Sequence, residues 1–423
     1  MSLRVGFAQV DITPPVGTLK IGWIIRIVSD RVIDPLYARA AVLQSEGGSV
    51  GLISLDTLCV RWTQAAEIRR RIEARYGFPG ANIMVAATHN HAGPAVKKFE
   101  GTPRDEGYVE TMIAKTVEMC GAALAGARDA RIGFGSCAEF SVAHNRRVVQ
   151  RDGTVRTHGT FADANALCLE GPIDPEVGVL AATTGEGEPL GVVVNFACHP
   201  THHCATGELS AGFPGALANE MKKCGWPVTV FLNGPCGNLH FSDPTRPGDE
   251  KTKEQIGAML AADVEKALGQ IAFRAEAVLA GGSRTIQLPF RAVTDAEIKG
   301  AVRGAQRFAD TELYDRSIAT ILERIRTRGA QPAEVQALSI DDHAFVGIPA
   351  EYFVEHGLRI KQEAHPRHAL VVSCANGMVG YVPTREAFRR GGYETTLGCP
   401  SMLAPEAGDL LADAAIALLS GRG

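Results

Sequence analysis

No stretch of this 423-residue sequence stays apolar over the length needed to span a bilayer, about 20 consecutive residues. Its start, Met1-Ser2-Leu3-Arg4, lacks the basic-then-apolar layout of a secretory leader and runs straight into a strand-like segment. The ten cysteines include no C-x-x-C pair. Cys59, Cys168, Cys198 and Cys374 sit inside apolar runs, where a thiol behaves as a small buried hydrophobe, as suits a reducing compartment. These absences predict a cytoplasmic protein that inserts into no membrane. A formal charge of -4, with Lys and Arg scattered, gives no footing for nucleic acid or an anionic lipid surface. The densest basic cluster, Arg69-Arg70-Arg71, falls on a predicted helix face and reads as solvated. "TTGEGEPLG" has glycines but no lysine and no strand-to-helix setting, which excludes a phosphate loop. Repeats, low-complexity tracts and Ser/Gly linkers are missing too, so a single domain over 1–423 is expected, with a helical subdomain or lid at about 293–330.

What is present is the composition of an ordinary globular protein, 45% hydrophobic and 21% charged. Strand-like and helix-like segments alternate. "GSVGLISLD" reads as a strand, Ala65–Tyr76 as a helix closed by Gly77, and about 106–124 as a longer helix. Segments 130–143 and 178–197 read as strands, with a turn at Gly185-Glu186-Gly187, and a helix starts near Pro214. "PVTVFLN" is an apolar strand and 250–268 is helical. Within 293–328 two helices join near Asp310, and Val335–Pro349 is a strand pair turning at Asp341-Asp342. Such alternation predicts an α/β architecture with at least one largely buried sheet.

The chemistry-bearing residues gather where strands end. The strand 82–88 runs into His89 and His91 of "THNHAGP", and the strand 190–198 into His199 of "NFACHPTHH". The strand 343–348 runs into Pro349-Ala350-Glu351, and 368–374 into "ANGMVGY" with Tyr381. In α/β sheets ligands collect beyond the C-terminal strand ends, so groups remote in sequence can converge there. Neutral imidazole with a carboxylate suits Zn²⁺ with one coordination position left for water. A single histidine after a strand is more often a hydrogen-bonded structural residue. H-x-H together with a second histidine-rich strand end shifts that balance, because buried polar groups are costly and rarely cluster without a purpose.

Taken in order, "THNHAGP", "NFACHPT", "GNL", "VGIPAE" and "GYVPTREAF…GGYETT" resemble the catalytic domain of the neutral/alkaline, non-lysosomal ceramidases. "GFAQVDITPPVG" and "IDPLYARAAVL" resemble the N-terminal blocks of their bacterial relatives, and the likeness runs from about Val5 to Leu403. The resemblance implies an α/β fold of mixed sheets flanked by helices, with the active site at strand C-terminal ends. It implies one zinc ion held by His89, His199, Glu351 and Tyr381. His91 would lie beside the metal and face the substrate, and Arg146 of "HNRR" and Tyr393 of "GGYETT" would act on the transition state. The immunoglobulin-like C-terminal domain of true ceramidases is not expected here, since the sequence stops soon after the last block.

The departures from that family matter equally. "CGNLHFSDP" carries His240 where ceramidases have a serine beside the zinc, with Ser242 two residues on, and Gly212 stands in "SAGFPG" where their aspartate would be. The expected chemistry is therefore hydrolysis of an amide, ester or lactone of a small polar molecule by water activated at the metal. His91 or His240 would supply the proton to the leaving group, and Arg146, Tyr393 or protonated His91 would meet developing negative charge. His240 could instead be an extra ligand or a specificity residue. Other readings are a true N-acylsphingosine amidohydrolase using Ser242 or water, a metal-assisted lyase or isomerase, and a non-catalytic metal- or ligand-binding protein. His144, His202 and His203 are expected to support the site or line the substrate. Cys236 is expected as a small turn residue rather than a nucleophile. Asp56 is expected to support a ligand histidine or cap the next helix. The partner is a small-molecule substrate, and a homo-oligomer is left open.

Overall fold

The computed structural model describes residues 3–23, 25–98, 102–308, 311–398 and 400–421. β1 (Arg4–Asp11), β2 (Tyr37–Ser45) and β3 (Gly48–Leu55) form a meander, β2 and β3 joined by a two-residue turn that pairs Ser45 with Gly48. α1 (Trp62–Tyr76) follows because Ala65, Ile68 and Ile72 fall on one buried face. It stops at Gly77, whose φ of 69° favours a residue without Cβ and whose N–H caps the Glu73 carbonyl. β4 (Ile83–Ala87) is buried along its whole length. α2 (Glu106–Ala125) starts where the Asp105 carboxylate accepts the Tyr108 N–H. β5 (Arg128–Ala138), β6 (Glu176–Thr184), β7 (Pro189–Phe196), α3 (Gly212–Lys223), β8 (Thr229–Asn233) and α4 (Lys253–Leu268) complete the first layer of elements.

The eight strands lie in the order β8-β7-β6-β5-β1-β2-β3-β4. The inner pairs are antiparallel; the outer pairs, β3–β4 and β7–β8, are parallel. Each outer parallel pair needs a crossover, which α1 and α3 supply. The sheet curls until its edges face one another. Ser54 Oγ of β3 donates to the Phe231 carbonyl of β8 at 2.6 Å, and Asn233 Nδ2 donates to the Thr88 carbonyl at 3.0 Å.

A second sheet, β9 (Leu279–Pro289), β10 (Ala330–Ile340), β11 (His343–Gly347) and β12 (His368–Val372), ends in a parallel β11–β12 pair. The run-out of β12 wedges into the gap left by the curl. Ser373 N–H donates to the Asn233 carbonyl (2.8 Å), Ala87 N–H to Cys374 (3.1 Å) and Asn376 N–H to Val85 (2.7 Å). The edges are thus bridged without a closed barrel, and one core cluster draws Met84, Leu232, Phe345 and Val372 from both sheets.

Helices cover the outside. α1 and α2 pack Ile68, Ile72, Met112 and Val117 on β2 and β3, and α3 and α4 set Leu217 and Leu260 on Val192 and Phe231. On the second sheet, α5 (Thr311–Arg328), α6 (Val354–Glu363) and α7 (Ala407–Leu419) contribute Ile321, Ile360 and Leu411. The 293–330 region holds one helical turn, Asp295–Ile298, and then α5, whose Ile318 and Ile321 pack with Leu288 and Val335. The expected join at Asp310 lies outside the described residues, as do Met1 and Ser2. Among the described residues no helix is long and apolar enough to cross a membrane.

Candidate metal and active site

β4 ends at Ala87 and the chain then turns on His89, whose φ of 65° lies in the left-handed region. Histidine is among the few side chains enriched there, and the turn brings His89 and His91 to the same side. Asn90 pins the turn by donating to the Ser210 carbonyl (2.7 Å) and accepting the Ala92 N–H (2.9 Å). At the opposite sheet edge Asn233, the last residue of β8, braces both histidine loops. Its Nδ2 holds the Thr88 carbonyl and its Oδ1 accepts the Cys198 N–H at 3.3 Å, next to His199.

Three imidazoles meet in consequence. Nδ1 of His89 lies 2.8 Å from the Leu58 carbonyl, Nδ1 of His199 3.0 Å from Cys236 and Nδ1 of His91 2.5 Å from Gly22. A carbonyl oxygen only accepts, so each Nδ1 carries the proton and each Nε2 a lone pair. Those lone pairs face one another, with Nε2–Nε2 separations of 3.0 Å (His89–His199) and 3.2 Å (His89–His91). Burial, the largest effect on both rings, lowers His91 to about 3 and His199 well below the ordinary histidine value, so both are neutral at pH 7. Converging lone pairs repel unless a cation sits among them, and the donor atoms of His89, His91 and His199 lie within 4.8 Å of one another. The carbonyl behind each ring is the support a metal-ligating histidine ordinarily has.

Glu351 and Tyr381 complete the cluster. Glu351–Tyr352 pairs in parallel with Tyr381–Val382, which puts the carboxylate and the phenol side by side. Glu351 Oε2 is 3.3 Å from His89 Nε2 and 3.9 Å from His199 Nε2. Tyr381 Oη accepts from Arg146 Nη2 at 3.0 Å, and burial pushes its phenol up. Arg146 itself is buried and committed: Nε donates to Glu394 Oε1 (2.9 Å) and Nη2 also to the Gly237 carbonyl (2.8 Å). Burial opposes its charge, but Tyr381 and Glu394 outweigh that and hold it on. Glu394 takes Arg147 Nη1 and Thr157 Oγ1 on its other oxygen, each at 2.7 Å. The Tyr393 ring stands edge-on to Tyr381, centroids 5.7 Å apart.

Seven of the eight residues marked in the sequence, His89, His91, His199, Glu351, Tyr381, Arg146 and Tyr393, line one cavity of about 150 Å³. Ile21, Trp23, Leu58, Phe308 and Pro400 give it an apolar wall. The eighth, His240, lies behind that wall against Thr201. His91, expected beside the metal and facing the substrate, brings its Nε2 to 3.2 Å from that of His89. Sequence reasoning missed Lys97, His158 and Thr201 in the cavity wall and Glu394 and Asn233 behind it. All but His158 stood inside or beside a quoted block, which was the available signal; His158 stands in no such block.

Several expectations are corrected. Asp56 accepts from the Tyr37 N–H (2.9 Å) and Arg39 Nη1 (2.7 Å), touching neither a ligand ring nor a helix start, since α1 is preceded by Arg61. His202 stacks on Phe241 at 3.9 Å, His203 pairs with Glu208 and His144 pairs in a short ladder with His240, so none of the three lines the cavity. Ser242 Oγ turns away to Glu250 at 3.0 Å. Cys236 agrees with its expectation: it is buried in the turn and its thiol is pushed up by burial, while its carbonyl holds His199.

The mixed α/β fold, helices on curled sheets without a closed barrel, matches that of solved ceramidases. By structure the chain is similar to neutral ceramidase from Pseudomonas aeruginosa, with a TM-score of 0.76 at 20% identity, over all of this chain and 75% of that one. A ceramidase complexed with C2 matches with a TM-score of 0.75 at 19% identity. In sequence the chain is 24% identical to the Pseudomonas aeruginosa neutral ceramidase over 432 residues, covering 85% of this chain but 63% of that protein's length. It is 32% identical to the Drosophila melanogaster neutral ceramidase over 96 residues, 22% of this chain and 14% of that one. No protein-family model matches. The resemblance carried by the motifs thus holds in both sequence and fold.

Proposed function

We propose that this chain is a zinc-dependent hydrolase of amide, ester or lactone bonds in a small substrate. The observation that carries the proposal is the convergence of three Nε2 lone pairs with the Glu351 carboxylate at the floor of the cavity. His89, His199, Glu351 and Tyr381 would hold the ion, with His91 within reach of it. When bound, zinc supplies Lewis acidity and a water acidic near about pH 7. The chain's own residues do the rest. Gly22 holds the His91 proton on Nδ1, leaving Nε2 to take a proton from the attacking water and return it to the leaving group. Arg146, fixed by Glu394, sets a positive charge against Tyr381, and with the Tyr393 phenol it meets negative charge developing on the carbonyl oxygen. The apolar wall of Trp23, Leu58 and Phe308 excludes bulk water and receives the acyl side.

The names of the relatives favour ceramide as an alternative substrate. Two features support the smaller one: His240 in place of the ceramidase serine, and a cavity of about 150 Å³, the size of an engineered cavity that holds benzene. The test is a metal assay on purified protein, followed by turnover of short N-acyl amides, esters, lactones and a short-chain ceramide, with and without chelator. Turnover of the small compounds that chelation abolishes is the expected result. Preference for ceramide selects the alternative, and unfolding on chelation without turnover selects a structural metal.

A further inference from the structure

His240 makes two hydrogen bonds, and together they determine what the neighbouring threonine can do. Its Nδ1 receives the backbone N–H of Ser242 at 3.0 Å, and its Nε2 lies 2.6 Å from Thr201 Oγ1. A backbone amide only donates, so Nδ1 must keep its lone pair. A neutral imidazole has one proton, which must then sit on Nε2 and point at Thr201. A protonated ring would set two N–H groups against each other at Ser242. If the Thr201 hydroxyl donated its hydrogen bond to Nε2, both ring nitrogens would be acceptors and the ring an imidazolate. Neither arrangement is compatible with a buried ring whose edge is closed by His158 at 4.8 Å between centroids.

Thr201 therefore accepts from His240 and keeps its own hydrogen to give away. Among the described residues its hydroxyl has no partner besides His240, and it lines the cavity two residues beyond His199. We infer that Thr201 is a specificity residue that donates a hydrogen bond to an oxygen acceptor on the substrate, a carbonyl or carboxylate beside the cleaved bond, and that His240 is its positioning residue. The same wall carries Lys97 and Arg146, which disfavour an ammonium group in this space and favour a neutral or anionic acceptor. His240 in this role is neither nucleophile activator nor proton donor. The inference deepens the hydrolase reading and rests on it for the identity of the ligand, but not for the direction of the His240–Thr201 bond.

Two measurements test it. In metal-free protein with ¹⁵N-labelled histidine, the His240 resonances are assigned by their loss in H240Q. They should show the Nε2–H form from mildly acid to mildly alkaline pH; an Nδ1–H or doubly protonated ring overturns the inference. In zinc-loaded protein, calorimetry with acetohydroxamate as a carbonyl-like probe should show about 10- to 100-fold weaker binding for T201V, the loss expected when one donor is removed from a desolvated site. T201S should bind as the native chain does. H240Q, whose amide can still donate but cannot carry a proton in catalysis, should bind far better than H240A. Unchanged affinity in T201V, or equal loss in H240Q and H240A, overturns it. Lack of bound metal or of any turnover counts instead against the hydrolase reading, and the tautomer measurement still decides this one.

Discussion

Glu394 accepts hydrogen bonds from Arg146, Arg147 and Thr157 while fully buried; Arg147 also pairs with Glu170, so Arg146 is the guanidinium that relies on this carboxylate. Burial acts to raise its pKa, but the two arginines outweigh it and hold the group at about 2. E394Q should cost about 3–5 kcal/mol in urea unfolding, because it leaves the buried Arg146 without its carboxylate partner. The sign of the pH effect follows from the depressed value. The carboxylate's contribution is complete above the unfolded glutamate pKa of about 4.3 and is lost as pH falls towards 2. The gap between native and E394Q protein should therefore narrow over that window; a constant gap would refute the account. Gly22 offers a second test at this scale. Its φ is 128°, and a Cβ there would lie 2.7 Å from the His91 Cα, so G22A must move the carbonyl that orients His91. Turnover should fall about 100-fold, as for displacement of a positioned general base, while metal affinity by chelator competition stays near that of the native chain. His89, His91, His199, Glu351 and Tyr381 were legible because histidines, a carboxylate and a phenol at strand ends are uncommon in combination; Arg146 and Tyr393 were legible only through the resemblance of their motifs to the ceramidases. Glu394 was not, although it sits in "GGYETT", because a glutamate next to a tyrosine looks like any surface residue until both arginines are placed against it. Thr201 was hidden likewise between more conspicuous histidines.

At the scale of elements, the alternation of strands and helices could be read from periodicity and from turn residues such as Gly77, Gly187 and Asp341-Asp342. The curl of the eight-stranded sheet could not, since pairing between distant strands leaves no local mark, and the wedge of Ser373–Asn376 between its edges depends on that curl. Polar ties between the two sheets are accessible to experiment. His368 at the start of β12 donates to Glu176 of β6 at 2.6 Å, and Lys361 of α6 holds Glu176 at 2.7 Å and Asp174 at 2.6 Å. The hydrogen bond to Glu176, stronger here than the opposing burial, raises the His368 pKa above its ordinary value, while Lys361 works against it and Asp342 with it. A raised histidine stabilises fully below the unfolded pKa of about 6.5 and loses that contribution as pH rises through the folded value. H368Q should therefore be less stable than the native chain in mildly acid solution and indistinguishable from it at alkaline pH. His368 is 44% exposed, so screening keeps the difference below about 1 kcal/mol. A gap that widens with rising pH would show that the tie works otherwise.

For the whole molecule, the question is whether the metal builds the site or the fold does. The imidazoles are held by carbonyls of Leu58, Cys236 and Gly22, and Asn233 locks both histidine loops to the sheet edge. None of these contacts uses an ion, and the hydrophobic core shared by the sheets lies elsewhere. These supports predict a site formed before the ion arrives, opposed only by the mutual repulsion of three lone pairs. A ligand that binds only the folded state adds stability by mass action, about 2.7 kcal/mol when free zinc is a hundred times its Kd. Chelated protein should consequently melt in one cooperative transition, and its Tm should climb with zinc concentration by a few degrees. H89A and H199A should melt close to the chelated native chain and show no climb, since removing a ligand relieves the repulsion and abolishes the binding at once. A chelated native protein that has already lost its cooperative transition would mean that the ion organises the three strand ends, and that the carbonyl supports are its consequence rather than its scaffold.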